Sequence, residues 1–98
     1  MPRYAARADA NLTEVIAALR GIGAQVESLH RVGGGVPDLL VGWRGKNLLL
    51  EVKDGEKSPS KRNLTAYQDD WFRTWEGQAT VVTSAKEALE YVYEQVKE

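Results

Sequence analysis

Two short motifs hold the side chains with the most evident capacity for chemistry. The first ends in Pro37-Asp38, and Glu51-Val52-Lys53 follows after twelve intervening residues. Carboxylate oxygens are preferred ligands of hard divalent cations, whereas a protonated lysine supplies positive charge but no metal ligand. If the chain brings Asp38 and Glu51 together, the two carboxylates could share one metal ion beside the ammonium group of Lys53.

The segment between the motifs predicts the element that would join them. Apolar runs at 39–41 and 48–50 flank a polar stretch in which Gly45 stands where a tight turn needs it. This pattern is typical of a β-hairpin. A hairpin centred near Gly45 places Asp38 opposite residue 51 or residue 53, depending on the type of turn.

Both registers place the charged side chains on one face of the hairpin. Because side chains alternate along a strand, Asp38, Glu51 and Lys53 share a face in either case. Partners that are directly or diagonally opposed lie roughly 4.5–8 Å apart, within reach of one metal ion. Two like charges held this close also predict that one of the two carboxyl groups resists ionisation in the metal-free protein.

An ordinary structural role is the alternative for these residues. Asp after Pro is frequent in turns, and Glu-x-Lys is often a solvated strand face. However, one face of the hairpin is apolar, and Leu40 and Leu49 add apolar residues to the face that carries the charges. Such a hairpin is expected in the centre of a sheet, covered on both sides. Burial of these charges without a function would be costly, so we favour a functional site.

The order of these motifs resembles the signature of the PD-(D/E)XK nuclease superfamily, and within it the small stand-alone VRR-NUC domains of phages and prophages. The resemblance spans nearly the whole chain, from Asp9-Ala10-Asn11 and Glu14 through both motifs to the segment 64–68. In one departure, many relatives have proline where Ala66 stands. The pattern of the chain predicts a mixed α/β sheet in the order αβββαβα, and the resemblance implies the restriction-endonuclease-like fold, with helices flanking the central sheet.

The resemblance also implies a reaction, the hydrolysis of phosphodiester bonds in DNA with Mg²⁺ or Mn²⁺. Such hydrolysis needs a water activated near neutral pH and positive charge where the oxyanions develop. By the resemblance, Asp38, Glu51 and the backbone carbonyl of Val52 are metal ligands. Lys53 would orient the attacking water and stabilise the transition state.

Two further side chains are candidates for the same site. Glu14 lies at the edge of the apolar stripe of the first helix, where it is either a surface residue that suits the helix dipole or, by the resemblance, a further metal ligand. Gln68 falls on the inward face of a later helix, where a buried amide needs hydrogen-bond partners. It could form a capping box with Thr65, or bond to the catalytic lysine, the water or a phosphate.

Basic residues are unevenly placed in a chain of formal net charge −1. Lys57, Lys61 and Arg62 follow the second motif directly, and they form either a solvated loop or contacts to the DNA backbone beside the cut. Bound cations would reverse the sign of the acidic site, so the net charge does not exclude DNA. At the hairpin tip, Trp43 beside Arg44 could stack on a base or pack against a second subunit.

The 98 residues predict one domain with one core. Residues 1–8 lack periodicity and are expected to form an N-terminal arm. A first helix should begin at Asp9 or Asn11 and end near Gly21. The other predicted elements are a short strand at 25–29, the hairpin, a polar loop at 54–63, a helix at 65–75, a strand at 79–83 and a last helix from Ser84.

These observations favour a metal-dependent DNA endonuclease, and the resemblance implies a homodimer that acts on branched DNA such as Holliday junctions. The alternatives are a nicking or flap nuclease, a non-catalytic DNA-binding module, or a partner-dependent subunit of a replication or recombination complex. The glycine run at 33–35 lacks the Gly-Lys-Ser/Thr of a nucleotide-binding loop, so no nucleotide cofactor is expected. There is no cysteine, membrane-spanning run or signal-peptide core, and we expect a cytoplasmic protein without a membrane partner.

Overall fold

The computed structural model describes residues 3–54 and 64–97, with their side chains from Ala10 onwards. The secondary structure within these residues follows the predicted order. Its elements are helix α1 (Arg3–Gly21), strands β1 (Gln25–Ser28), β2 (Leu39–Trp43) and β3 (Lys46–Val52), helix α2 (Ala66–Thr74), strand β4 (Ala79–Val82) and helix α3 (Ala85–Val96).

The described strands form one mixed sheet in the order β1-β2-β3-β4. β2 pairs antiparallel with both β1 and β3, whereas β3 pairs parallel with β4. Trp43 pairs with Lys46, so Arg44 and Gly45 make a two-residue turn. Both residues have positive φ, 48° and 84°, as the turn favoured in such hairpins requires. The predicted hairpin is therefore confirmed, with glycine where a left-handed backbone is needed.

The apolar core lies on one face of the sheet, under α1 and α3. Val15 and Leu19 of α1 and Ala88 and Val92 of α3 are fully buried. They pack with alternate residues of the hairpin, Leu39, Val41, Leu48 and Leu50. The spacing of three or four residues in the helices and of two in the strands puts each set on a single face. This face anchors the hairpin and fixes which of its side chains point the other way.

The opposite face of the sheet is covered less completely than the sequence predicts. Leu40 and Leu49 are half-buried, and α2 contains no buried residue. Tyr67 of α2 and Trp75, which follows it, are 75% and 45% exposed. Trp71 stacks on Trp75, with 4.8 Å between the ring centroids. Among the described residues, this face is covered only in part, because α2 is nine residues long and its aromatic residues pack on each other.

Two predictions about individual segments are wrong. The first helix begins at Arg3, so residues 3–8 are not an irregular arm and Asn11 is not an N-cap. This segment has no apolar period but is rich in alanine and arginine, which favour helix. Trp43 is 8% exposed, and its indole N–H donates to the Ile22 carbonyl at 3.2 Å, so it is not available to a base or a second subunit.

In the part of the chain that the structure describes, no helix is long and apolar enough to cross a membrane.

Candidate functional site

The hairpin register brings the two predicted carboxylates together. Leu39 pairs with Leu50, so the next position along each strand places Asp38 opposite Glu51. Of the two registers that the sequence left open, the structure adopts this one. Asp38 Oδ2 accepts a hydrogen bond of 2.9 Å from the backbone N–H of Val52. The Asp38 side chain thus takes the place of a strand carbonyl just where β2 begins, which fixes its direction.

Glu51 is buried in an environment that leaves half of its carboxylate unsatisfied. The residue is 3% exposed. Its Oε2 atom accepts a hydrogen bond of 2.9 Å from Gln68 Nε2 and lies 3.5 Å from Lys53 Nζ. Its Oε1 atom is buried and accepts no hydrogen bond from the residues that the structure describes. A buried carboxylate oxygen without a partner is unfavourable, so this atom is available to a ligand.

The pKa of Glu51 is raised from 4.5 to about 7. Burial is the largest cause, because it disfavours the charged form, and the negative charge of Asp38 is the second. The ammonium of Lys53 lowers this pKa but does not outweigh the other two effects. One of the two carboxyl groups therefore resists ionisation without a metal, as the spacing of the motifs predicts.

Gln68 joins the lysine, the buried carboxylate and the start of α2. Its Oε1 atom accepts from Lys53 Nζ at 2.7 Å and from the backbone N–H of Thr65 at 3.0 Å. Thr65 Oγ1 accepts in turn from the Gln68 backbone, which completes a capping box. Both alternatives that the sequence left open for Gln68 are present at once. An amide can serve both because its oxygen accepts two bonds while its nitrogen donates to Glu51.

The end of β3 also determines where the backbone carbonyl of Val52 points. The N–H and C=O groups of one strand residue point to the same side of the strand. The Val52 N–H is bonded to Asp38, whereas the next N–H, that of Lys53, donates to Val82 on the other side at 2.9 Å. The Val52 carbonyl accordingly faces the side of Asp38. This orientation suits its predicted role as a third oxygen donor.

The donor set fits a hard divalent cation. It combines two carboxylates and a backbone carbonyl, all oxygen ligands, with an orphaned buried oxygen on Glu51. Glu14 is exposed, and no group of three or more His, Cys, Asp or Glu side chains that could hold a metal ion occurs among the described residues. The structure therefore brings Asp38, Glu51, Lys53 and Gln68 together but does not add Glu14 to a metal-binding cluster with them.

The sequence also draws attention to the basic residues that follow β3 and to Asn11. The predicted DNA contacts Lys57, Lys61 and Arg62 fall outside the described residues, so they stay predictions. For Asn11 the sequence offered the role of a helix cap, which the structure does not adopt. Its Nδ2 atom donates to the backbone carbonyl of Lys53 at 2.8 Å. The sequence feature that could have indicated this contact is an asparagine near the apolar stripe of a helix, where this residue type is unfavourable.

Comparisons with known proteins agree with the fold. A solved structure described as "VRR_NUC domain" matches 92% of this chain and 97% of its own, with a TM-score of 0.59 and 24% sequence identity. Neither a scan against models of protein families nor a search of curated proteins finds a match. The structural match confirms the restriction-endonuclease-like fold and, at the level of the fold, the resemblance to VRR-NUC domains.

Proposed function

We propose that this protein is a divalent-metal-dependent DNA endonuclease. The observation that carries the proposal is the buried Glu51 carboxylate, which lies opposite Asp38 and beside Lys53. One of its oxygens has no hydrogen-bond partner among the residues that the structure describes. The VRR_NUC domain matched by fold supports the same class of activity. A DNA-binding module without catalysis has no need of a buried charged cluster at the end of its central strands.

In the proposed mechanism, Asp38, Glu51 and the Val52 carbonyl hold Mg²⁺ or Mn²⁺, and Glu14 stays a further candidate ligand. The bound cation would supply a water of lowered pKa and positive charge at the phosphate oxygens. Lys53 places its ammonium group against the developing negative charge and orients the attacking water. Gln68 holds the lysine, since its oxygen accepts from Nζ at 2.7 Å, and keeps the Glu51 carboxylate turned towards the site.

We also propose branched DNA, such as a Holliday junction, as the preferred substrate, and a homodimer as the active form. A symmetric cut in two strands requires two sites, which a two-fold dimer supplies. Lys57, Lys61 and Arg62 would hold phosphates beside the cut, because they follow the catalytic strand directly. A nicking or flap nuclease would use the same site on other DNA structures, so the substrate test includes both.

Cleavage of labelled DNA by matched variants tests this function. Purified protein is incubated with linear, nicked, flap and four-way DNA in Mg²⁺ or Mn²⁺. The mass of the protein in solution, measured by light scattering, tests whether it is a homodimer. Asp38→Asn, Glu51→Gln and Lys53→Ala should each lower the cleavage rate by a factor on the order of 10³. DNA affinity in Ca²⁺ should change little for Lys53→Ala. Asp69→Asn, which removes an exposed carboxylate of α2, and Lys86→Ala serve as controls purified in the same way.

Two results would contradict the proposal. The first is a folded Lys53→Ala protein that cleaves at the wild-type rate. The second is a cleavage rate that is the same in the controls and in the site variants, because equal retention would point to a contaminating nuclease and equal loss to a general effect on folding.

A further inference from the structure

We infer that Asn11 is a positioning residue, which holds the catalytic strand at Lys53 from helix α1. The inference deepens the proposed function and rests on it for the role of Lys53. Asn11 Nδ2 donates a hydrogen bond of 2.8 Å to the backbone carbonyl of Lys53, across 42 residues of sequence. This contact joins α1 to the residue whose ammonium lies within the site.

The hydrogen bond replaces one that the sheet no longer provides. Lys53 N–H donates to Val82 at 2.9 Å, which continues the parallel pairing of β3 with β4. In a regular parallel ladder the next bond would run from the Ser84 N–H to the Lys53 carbonyl. Ser84 is instead the N-cap of α3, where the chain turns away from the sheet. The carbonyl at the end of β3 therefore needs another donor, and Asn11 supplies it.

The position of Asn11 within α1 does not explain why this residue is an asparagine. α1 begins at Arg3, so Asn11 lies eight positions inside it and satisfies no helix terminus. Asparagine is unfavourable in the interior of a helix. Asn11 precedes the buried Val15 by four residues, so both side chains lie on the face that α1 turns to the sheet. The Asn11 side chain is half-buried, and its amide N–H donates to the Lys53 carbonyl.

Both backbone groups of Lys53 are thereby held from different elements, the N–H by β4 and the carbonyl by α1. With its backbone fixed, Lys53 can direct its side chain so that Nζ is 2.7 Å from Gln68 Oε1 and 3.5 Å from Glu51 Oε2. Loss of the Asn11 bond would free the peptide group that follows Lys53. The ammonium would then sample positions in which it contacts neither partner.

Nuclear magnetic resonance of the metal-free protein tests the coupling without reference to activity. Asn11→Leu keeps the approximate shape and removes the donor, and Asn11→Asp is a second variant if the first does not fold. We expect the Lys53 carbonyl resonance to move, and the Gln68 side-chain amide, at the far end of the lysine, to shift and broaden. Thr13→Ala, an exposed change on the same helix, should leave the Gln68 amide unchanged.

Cleavage kinetics provide the second readout. The single-turnover rate at saturating DNA should fall roughly 10–100-fold in Asn11→Leu, because small misplacements of a catalytic group have effects of this size. DNA affinity in Ca²⁺ should stay within about twofold of the wild type, since Asn11 is assigned no phosphate contact. Asn11→Gln, which keeps an amide donor, should recover part of the rate.

The two arms separate the inference from the proposed function. A wild-type protein that cleaves no DNA would reject the nuclease function, and the resonance of the Gln68 amide would still decide the role of Asn11. A shifted Lys53 carbonyl with an unchanged Gln68 amide and an unchanged cleavage rate would make Asn11 a structural tether and overturn the inference.

Discussion

Asp38 and Glu51 face each other from paired strands, yet their surroundings differ. Asp38 is half-buried and accepts a backbone hydrogen bond from Val52. Glu51 is buried, with one oxygen unpartnered among the described residues, and its pKa is raised to about 7. The ionised form of Glu51 is therefore unfavourable in the metal-free site, and a bound cation would stabilise it.

This raised pKa predicts how the stability of the metal-free protein depends on pH. Between the unfolded pKa of 4.5 and the folded pKa of about 7, the folded state binds more protons than the unfolded state. The contribution of Glu51 to the free energy of unfolding is therefore complete below pH 4.5 and lost as the pH rises through about 7. The loss should amount to about 3 kcal/mol at most.

Urea unfolding in EDTA at several values between about pH 5 and about pH 8 measures this effect. Glu51→Gln, which cannot ionise, should flatten the dependence, whereas Glu90→Gln on the exposed side of α3 should retain the wild-type slope. Parallel curves for the wild type and Glu51→Gln would contradict the assignment of the raised pKa to Glu51.

At the scale of elements, α2 is attached to the site at its first turn. Its capping box uses the same Gln68 oxygen that accepts from Lys53, so the start of the helix and the lysine are fixed together. A second contact holds α2 near the site, and it comes from the glycine run at 33–35 that precedes Asp38. Gly35 has a φ of +87°, and a Cβ added there would collide with the Tyr67 backbone carbonyl. This close approach sets how near α2 comes to the hairpin.

Two glycine substitutions should separate backbone strain from this contact. Gly34 has a φ of +67° with open space around it, so Gly34→Ala should cost roughly 1–2 kcal/mol from the left-handed backbone alone. Gly35→Ala has the same strain and must also push Tyr67 and the start of α2 away. We expect Gly35→Ala to lower the free energy of unfolding, measured with urea, by more than Gly34→Ala does. The resonance of the Gln68 side-chain amide should shift in Gly35→Ala and stay in place in Gly34→Ala. Equal effects of the two substitutions would mean that the loop does not set the position of α2.

For the molecule as a whole, the sequence predicted best what depends on local pattern. The alternation of apolar residues and the position of Gly45 were enough for the hairpin, and the hairpin was enough to put Asp38 and Glu51 on one face. The register that places Asp38 directly opposite Glu51 was one of two that the sequence left open. The capping box was one of the two alternatives for Gln68, because Thr65 and Gln68 have the required spacing.

Features that depend on packing between distant elements could not be predicted in this way. The burial of Trp43 follows from its contacts with Ile22 and Tyr93, and neither contact leaves a pattern in the sequence. The bond from Asn11 to Lys53 exists because β4 ends before it could supply a donor. Within the described residues, the second face of the sheet is only partly covered because α2 is short. The early start of α1 lacked an apolar period that could reveal it.

Metal binding and folding should be linked across the whole molecule. A cation that binds the folded site stabilises it by about 2.7 kcal/mol when its free concentration is 100 times the dissociation constant. Asp38→Asn should abolish most of this gain for Mn²⁺, and Asp70→Asn, an exposed change on α2, should preserve it. The cation must displace the proton on Glu51, so Mn²⁺ affinity should weaken roughly tenfold for each pH unit below about 7.

The stabilisation by Mn²⁺ should consequently change with pH in the direction opposite to the stability of the metal-free protein. Without metal, raising the pH from about 6 to about 8 lowers the free energy of unfolding, because Glu51 ionises in a buried site. With Mn²⁺, the same change increases the stabilisation by metal, because ionised Glu51 is the ligand. Urea unfolding at both pH values, with and without Mn²⁺, compares the two directly. A gain from Mn²⁺ that is equal at both pH values would show that the metal does not bind through Glu51.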